Sequence, residues 1–492
     1  MITISQQLVQ QLCGVFRRLL PPSPSQADQS VQFVAGAAGL RVRLHNRAGA
    51  VEYQRAGNLP VESFAIPLTA LFACEGTRAD QPVTLESRTD GHVVLRWDDH
   101  AVPRSLVVES WPRFHESLPT PSSWAVNPPR LLTALQDTLE TTATAEGRRF
   151  AVDCIQLRGH AGDIVATDLH QILCVSGFVF PWDDELLVKR SEVFASRELP
   201  TDQPLEVGRT EQQVVFRCGS WSIWLPLDLA GQFPCAANVI SDPATATSRW
   251  KLSDIDADYL LEVIPRLPCH DPETQPLTID LNGHVALLTK SESAETITHV
   301  LLRNSQHLGD DLRCHTDRRY LVRALRLGFR EIFLHGAETP PVCRDAQRTY
   351  AWALLQAEHA LAATDHMLSL TSPVSTLAAT SPPQRLLTPR RRHSPQDRTP
   401  AQMTHNRVAE TLAGSTPQPT NGTAPPAANS KTQDTTTGLA AVLREAEAVQ
   451  VALRESHTRV SHLIAALKRH RRQSKLMQST LASIKQLQQL EV

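Results

Sequence analysis

The sequence predicts an α+β protein built as three similar domains in tandem, then a disordered linker and a C-terminal helical coiled coil. Three observations carry that prediction. The 492 residues exceed what one core supports, since single cores stop growing near ~250–300 residues. Strand-like runs and short capped helices recur with a repeat of roughly 120–130 residues, ending near residue 364. Beyond that point the composition changes first to Pro, Ser and Thr and then to a strict three-four apolar spacing.

The β-rich runs are GLRVRLHNRAGAVEY (39–53), PVTLESRTDGHVVLRW (82–97), RRFAVDCIQL (148–157), GDIVATDLHQILCVSG (162–177), EQQVVFRCGSWSIWL (211–225), LTIDLNGHVALLTK (277–290) and ITHVLL (297–302). Each is bounded by turn-type residues, as strands and hairpins require. SQQLVQQLCGVFRRLL, NPPRLLTALQDTLE and DADYLLEVIPRL each start with a cap-type residue and precede a block of strands. A second short helix lies inside each block: IPLTALFACE, VKRSEVFASREL and TDRRYLVRALRLG, starting near 67, 189 and 317. Domains at 1–115, 125–245 and 250–364 account for this pattern.

Residues 366–437 are rich in Pro, Ser, Thr, Ala and Gln and have no periodic apolar pattern, so they cannot offset their ordering entropy and are expected to be disordered. From 438 to 490 an apolar seam runs from Leu439, Val442, Ala446 and Val449 to Leu481 and Ile484. Such a seam is stable in water when buried against a partner, as a coiled coil or helical hairpin, the alternative being a lone amphipathic helix on the body. The basic run at 468–472 marks its weakest turn.

The net charge of −2 conceals an asymmetry, with about 33 Lys and Arg against 43 Asp and Glu in residues 1–364, and about 16 against 8 beyond. No apolar run is long enough to span a bilayer, and the N-terminus has the wrong charge order for a secretory signal. Nine scattered cysteines without a CxxC encode neither a disulfide framework nor a zinc site, which points to a reducing, cytoplasmic setting.

Within HTDRRYLVRALRLGFRE, Thr316 or Asp317 can cap a helix on which Arg319, Arg323, Arg326 and Arg330 fall in one stripe, opposite Leu321, Ala324 and Leu325. Four guanidinium groups at this spacing suit a phosphate backbone, although a solvated charged face would show the same pattern. Arg17, Arg18, Arg148, Arg149, Lys189, Arg190 and Arg197 also lie on or beside repeat helices, so a basic surface shared by the three repeats is expected. There is no Walker loop, GxGxxG, GxSxG or HExxH, and Asp168 and His170 lack both a local nucleophile and a third metal ligand. No catalytic residue, metal site or cofactor is expected.

RRFAVDCIQLRGHAGDIVATDLHQILCVSG resembles the middle domain of the bacterial sliding clamp, the beta subunit of DNA polymerase III, where an RYxLxG strand is followed by VATDGHRLA. LVKRSEVFASREL is similar to that family's IVPRK helix, LAGQFPCAANVIS to its DGRFPDYRRVIP, and HTDRRYLVRAL to its FNxxYLxxAL helix, followed by a terminal strand at RTYAWALL.

The resemblance implies a ring of six domains made by a head-to-tail homodimer, holding sequence-independent double-stranded DNA in its hole. It implies a nucleoid-associated, non-enzymatic role, with polymerase or clamp-loader subunits docking a peptide between the second and third domains. The alternative is a clamp-fold scaffold that self-associates through its coiled coil without loading on DNA. By motif match the pocket would use Val152, Thr167, Leu169, His170, Gln171, Ile172, Pro234, Asn238, Val239, Ala351, Ala353, Leu354 and Leu355. Leu169 stands where the motif has Gly, and Gln171 and Asn238 where it has Arg. Asp168 and His170 would fix a bend between two strands. The extra C-terminal residues would tether a partner at an effective concentration set by the linker.

Overall fold

The computed structural model describes residues 1–20, 29–76, 78–111, 117–144, 147, 149–235, 240–291, 296–362 and 367–374. The coiled coil expected at 438–490, most of the linker expected at 366–437, and Arg148, Asn238 and Val239 lie outside them. All the described residues belong to one compact unit, Met1–Leu386.

Three repeats share one order of elements. The first comprises β1 (Ile2–Ser5), α1 (Gln6–Leu19), β2 (Ser30–Gly36), β3 (Gly39–Asn46), β4 (Gly49–Arg55), β5 (Glu62–Pro67), α2 (Leu68–Ala73), β6 (Pro82–Ser87), β7 (His92–Asp99) and β8 (Val102–Glu109). The second comprises β9 (Trp124–Asn127), α3 (Arg130–Leu139), β10 (Cys154–Arg158), β11 (Asp163–Thr167), β12 (Gln171–Val175), β13 (Glu185–Lys189), a 3-10 turn (Glu192–Ala195), β14 (Leu205–Arg209), β15 (Gln213–Cys218) and β16 (Trp221–Pro226). The third comprises β17 (Ser248–Lys251), α4 (Asp254–Val263), β18 (Pro276–Leu281), β19 (Val285–Lys290), β20 (Ile297–Leu302), an added β21 (Gln306–Gly309), β22 (Leu312–Asp317), α5 (Arg318–Arg326), β23 (Glu331–Leu334), β24 (Val342–Arg344) and β25 (Arg348–Trp352). A further strand, β26 (Met367–Thr371), follows.

The capping residues do the work their side chains suit them for. Ser5 Oγ accepts from Leu8 N at 3.2 Å, Ser253 Oγ from Asp256 N at 3.1 Å, and Asp317 Oδ1 from Arg319 N at 2.9 Å, each satisfying a first-turn donor. On α1, Leu8, Leu12, Val15 and Leu19 recur at helical spacing and are buried. The second helix of the middle repeat is shorter than expected, a single 3-10 turn. Lys189, its expected start, is the last residue of β13 and pairs with Cys154, so the chain turns only after Ser191, and Val193 and Phe194 bury their side chains there. The run at 148–157 is likewise strand only from Cys154 onward.

Each repeat contributes two four-stranded halves, and the repeats join edge to edge. One eight-stranded sheet runs β5-β2-β3-β4-β16-β15-β14-β9, and a nine-stranded sheet runs β13-β10-β11-β12-β25-β24-β23-β17-β21. Both junctions are antiparallel and of one kind: the edge of one repeat's first half meets the last strand of the next. At the first, Ala50 pairs with Trp224 and Tyr53 with Trp221; at the second, Gln171 pairs with Trp352 and Leu173 with Tyr350. A half-sheet remains at each end, β1-β6-β7-β8 and β22-β18-β19-β20-β26.

β26 corrects the expectation that disorder begins at 366. It pairs in parallel with β20 from Ile297↔Met367 to Leu301↔Thr371. Its composition alone cannot hold a strand, and the receiving edge supplies the hydrogen bonds.

Candidate partner cleft and basic positions

A cleft opens where β12 meets β25. β11 and β12 are joined by a three-residue bend, Asp168 to His170, fixed by its own side chains. Thr167 Oγ1 donates to Gln171 O at 2.6 Å and accepts from Leu169 N at 3.0 Å. Asp168 Oδ1 accepts from His170 N and Gln171 N, both at 2.9 Å. The carboxylate is thus bound up in the turn. His170 contributes its backbone, whose carbonyl accepts from Ala353 N at 2.7 Å, while its side chain is exposed.

Gln171 ties the bend to the rest of the junction. Its Nε2 donates to Glu140 O and Asp168 Oδ2, each at 3.0 Å, and its Oε1 accepts from Tyr350 Oη at 2.8 Å. Burial pushes the Tyr350 phenol well above its usual range, which keeps that proton available to Gln171. Gln171 thus uses both ends of its amide at once, donating to Glu140 O and the Asp168 carboxylate and accepting from Tyr350 Oη, a combination that an arginine, which has no acceptor, could not reproduce.

The cleft holds about 120 Å³ and is lined by Thr167, Leu169, His170, Gln171, Ile172, Pro234, Ala351 and Ala353 of the expected set, joined by Cys235, Pro340 and Trp352. Val152, Leu354 and Leu355 are not part of the lining. Val152 is buried, with its carbonyl accepting from Ala143 N; Leu354 packs on the main core and bridges to Thr316; Leu355 N donates to His315 O. Cys235 follows directly on a motif residue and could have been anticipated, whereas Pro340 comes from a loop that no motif marks.

Leu169 has φ +77°, the left-handed region that ordinarily belongs to glycine, and its side chain is 57% exposed at the cleft. The backbone of the glycine-type bend is therefore kept, with a strained leucine projecting from it. Replacing Leu169 by Gly is expected to raise stability by up to about 1 kcal/mol, less whatever the freer unfolded chain takes back, and to widen the cleft. Urea denaturation checks the first outcome; a loss above about 1 kcal/mol would mean that Leu169 packs rather than projects.

The proposed basic residues are, with few exceptions, paired. Arg17 binds Glu75 at 2.7 Å through Nη1, which raises its pKa, and lies 4.3 Å over the Phe72 ring. Arg18 and Arg190 share Glu192, and Arg190 Nε donates to Leu139 O at 3.2 Å. Lys189 faces Asp153 at 3.0 Å and Asp228 at 3.4 Å. Arg319 Nε is 3.0 Å from both oxygens of its own helix cap, Asp317. Arg149 is exposed and stacks on Phe150 at 5.0 Å. Arg197 and Arg326 are exposed and take part in no ion pair among the described residues.

The single arginine stripe does not form. α5 ends at Arg326, and Gly328 at φ +85° turns the chain, so Arg330 lies beyond the helix, where it pairs with Asp254 at 2.7 Å. Arg323 points inward, 8% exposed, its Nη1 donating to Glu140 Oε2 at 2.8 Å and its Nη2 to Asp137 O. It fastens α5 to the end of α3 and is unavailable to a phosphate. Burial raises the Asp137 pKa, and the nearby Arg323 charge works against that rise. Arg318, outside the stripe, is also buried: its guanidinium donates to Leu267 O at 2.8 Å and Pro268 O at 2.7 Å, gathering the carbonyls after α4.

No protein-family model matches the sequence, and no curated protein matches it. Solved structures do. The sliding clamp (DNA polymerase III subunit beta) of Pseudomonas aeruginosa is 14% identical with a TM-score of 0.59, the match covering 72% of this chain and 99% of that one. The DNA polymerase III beta chain of Streptococcus pneumoniae is 16% identical, and a DNA polymerase III beta subunit from Eubacterium rectale 12%, at the same TM-score and coverage. The chain has the fold of these sliding clamps. Among the described residues no helix is long and apolar enough to cross a membrane, and no cluster of ligating side chains could hold a metal ion.

Proposed function

We propose that this chain is a non-catalytic, sliding-clamp-like protein: two copies close a six-domain ring around duplex DNA, and the cleft at the β12–β25 junction tethers proteins of replication or repair at the nucleoid. The observation that carries the reading is the junction rule. Repeats that join edge to edge twice, by the same pair of strand positions, put the matching strands β20, which carries β26, and β8 at the two ends of the chain, and two such chains joined head to tail through them would close a cycle. The likeness in fold to DNA polymerase III beta subunits supports the same arrangement.

The pairing of the basic residues sets how such a ring would hold DNA. Most guanidinium groups already share a carboxylate, so each phosphate contact is weak, and retention is topological rather than adhesive. Arg149, Arg197 and Arg326 would supply the uncommitted charge. The cleft, apolar and small, suits one or two side chains of an extended peptide.

The test compares nicked circular with linear DNA. A ring assembled on DNA is expected to remain on the circle in high salt and to leave the linear form from its ends. Equal retention on both would defeat encirclement.

A further inference from the structure

β20 occupies the position in the third repeat that β4 and β12 occupy in the first two, since each is the edge of its repeat's first half. β4 takes β16, and β12 takes β25, both antiparallel. By that rule β20 would take β8, which occupies the same place in the first repeat as β16 and β25 in theirs, and only a second copy can present it there. Yet β20 is already covered. β26 lies along it from Ile297 to Leu301, in the parallel sense that neither junction uses.

We propose that β26 is a detachable cap on the ring-closing edge, and that its release exposes β20 to β8 of a second copy of this chain. The inference rests on the ring reading above and adds its control. While β26 is seated, the hydrogen-bonding row that would close the ring is spent within the chain.

The two strands that would contend for β20 are built differently. β26 has five residues, and Leu368 and Ser369 are exposed, Leu368 at 57%. Its apolar anchors are the half-buried Met367 and Leu370, the latter packed on the main core, and parallel pairs are the slightly weaker kind. β8 has eight residues, and its outer edge is unpaired among the described residues. Val102 and Val107 are each 51% exposed there, beside the exposed Pro103, Arg104 and Glu109, so the strand offers a mixed apolar and charged face with its hydrogen-bonding edge open.

β26 is nevertheless held deliberately at its far end. Ser372, which is buried, donates its N–H to Leu301 O at 3.0 Å and accepts from Arg303 N at 2.9 Å through Oγ. Asn304 Nδ2 donates to Pro373 O at 2.8 Å and to Asp256 Oδ1, also at 2.8 Å, and Asp256 is fully buried at the start of α4. At the near side, Leu361 N donates to Thr278 Oγ1 of β18 at 2.9 Å. A short strand with a latch at its end is a local unit that can open without unfolding the repeat beneath it.

The test uses full-length chains in which Cys174, Cys235 and Cys269, the native thiols that are not buried, are replaced by serine, with Val107→Cys added on β8 of one copy and His299→Cys on β20 of another, mixed and oxidised. The intact chain is expected to give little of the crosslinked heterodimer. Excising residues 367–374 is expected to raise the yield about tenfold, and Ser372→Pro, which removes the donor to Leu301, to raise it by less. An equal yield with and without β26, or no crosslink in either release variant while circular dichroism shows them folded, overturns the cap. The ring reading fails separately: release variants that crosslink but leave nicked circles as fast as linear DNA would keep the cap and remove encirclement.

Discussion

Trp352→Ala lowers the stability of the third repeat by about 4 kcal/mol, the upper range for truncating a fully buried large aromatic. Trp352 is 1% exposed on β25, pairs with Gln171 across the second junction, and lies 5.5 Å from the Tyr350 ring centroid. Its Nε1 also donates to Thr316 Oγ1 at 2.9 Å, which joins β25 to β22 of the other half of the repeat. The cavity would open beside the cleft, where Trp352 forms part of the wall. Trp352→Phe separates the contributions: it retains most of the volume and loses the hydrogen bond, so about 1–2 kcal/mol is expected. Urea titration followed by proteolysis of the third repeat reads both variants. A loss below about 1 kcal/mol for the alanine would show that the junction does not depend on this side chain.

The strands legible in the sequence are those that carry their own signal. GLRVRLHNRAGAVEY and PVTLESRTDGHVVLRW each open on an alternating strand, continue through turn residues into a second β-rich run, and form hairpins, β3–β4 and β6–β7. The bend at Asp168 came from the resemblance, and the structure shows it held by local bonds in which Asp and Thr side chains reach backbone groups within four residues. What was not legible depends on partners distant in sequence. β26 has only the brief alternation LSLT, too short to mark a strand inside a Ser- and Thr-rich segment, and is held by the edge that β20 offers. Arg323 shares its helix face with Arg319 and Arg326, and only the approach of α3, with Asp137 and Glu140, turns it from a surface cation into a buried clamp.

Arg323→Ala is expected to cost about 2 kcal/mol of stability and to leave DNA association unchanged. The estimate stays below that for a wholly buried ion pair because Glu140 is 58% exposed and regains water when its partner is lost, whereas Asp137 is less exposed and recovers less. Arg326→Ala, three residues on, has the opposite profile. Its side chain is exposed, so stability should change by less than about 0.5 kcal/mol. Should it face DNA, the dependence of log affinity on log salt should flatten by about one phosphate contact per substituted copy. Chemical denaturation and salt-titrated binding to a short duplex, run on both variants, distinguish the roles. A flatter salt slope in Arg323→Ala at unchanged stability would return that residue to the DNA surface and undo its assignment as the link between α3 and α5.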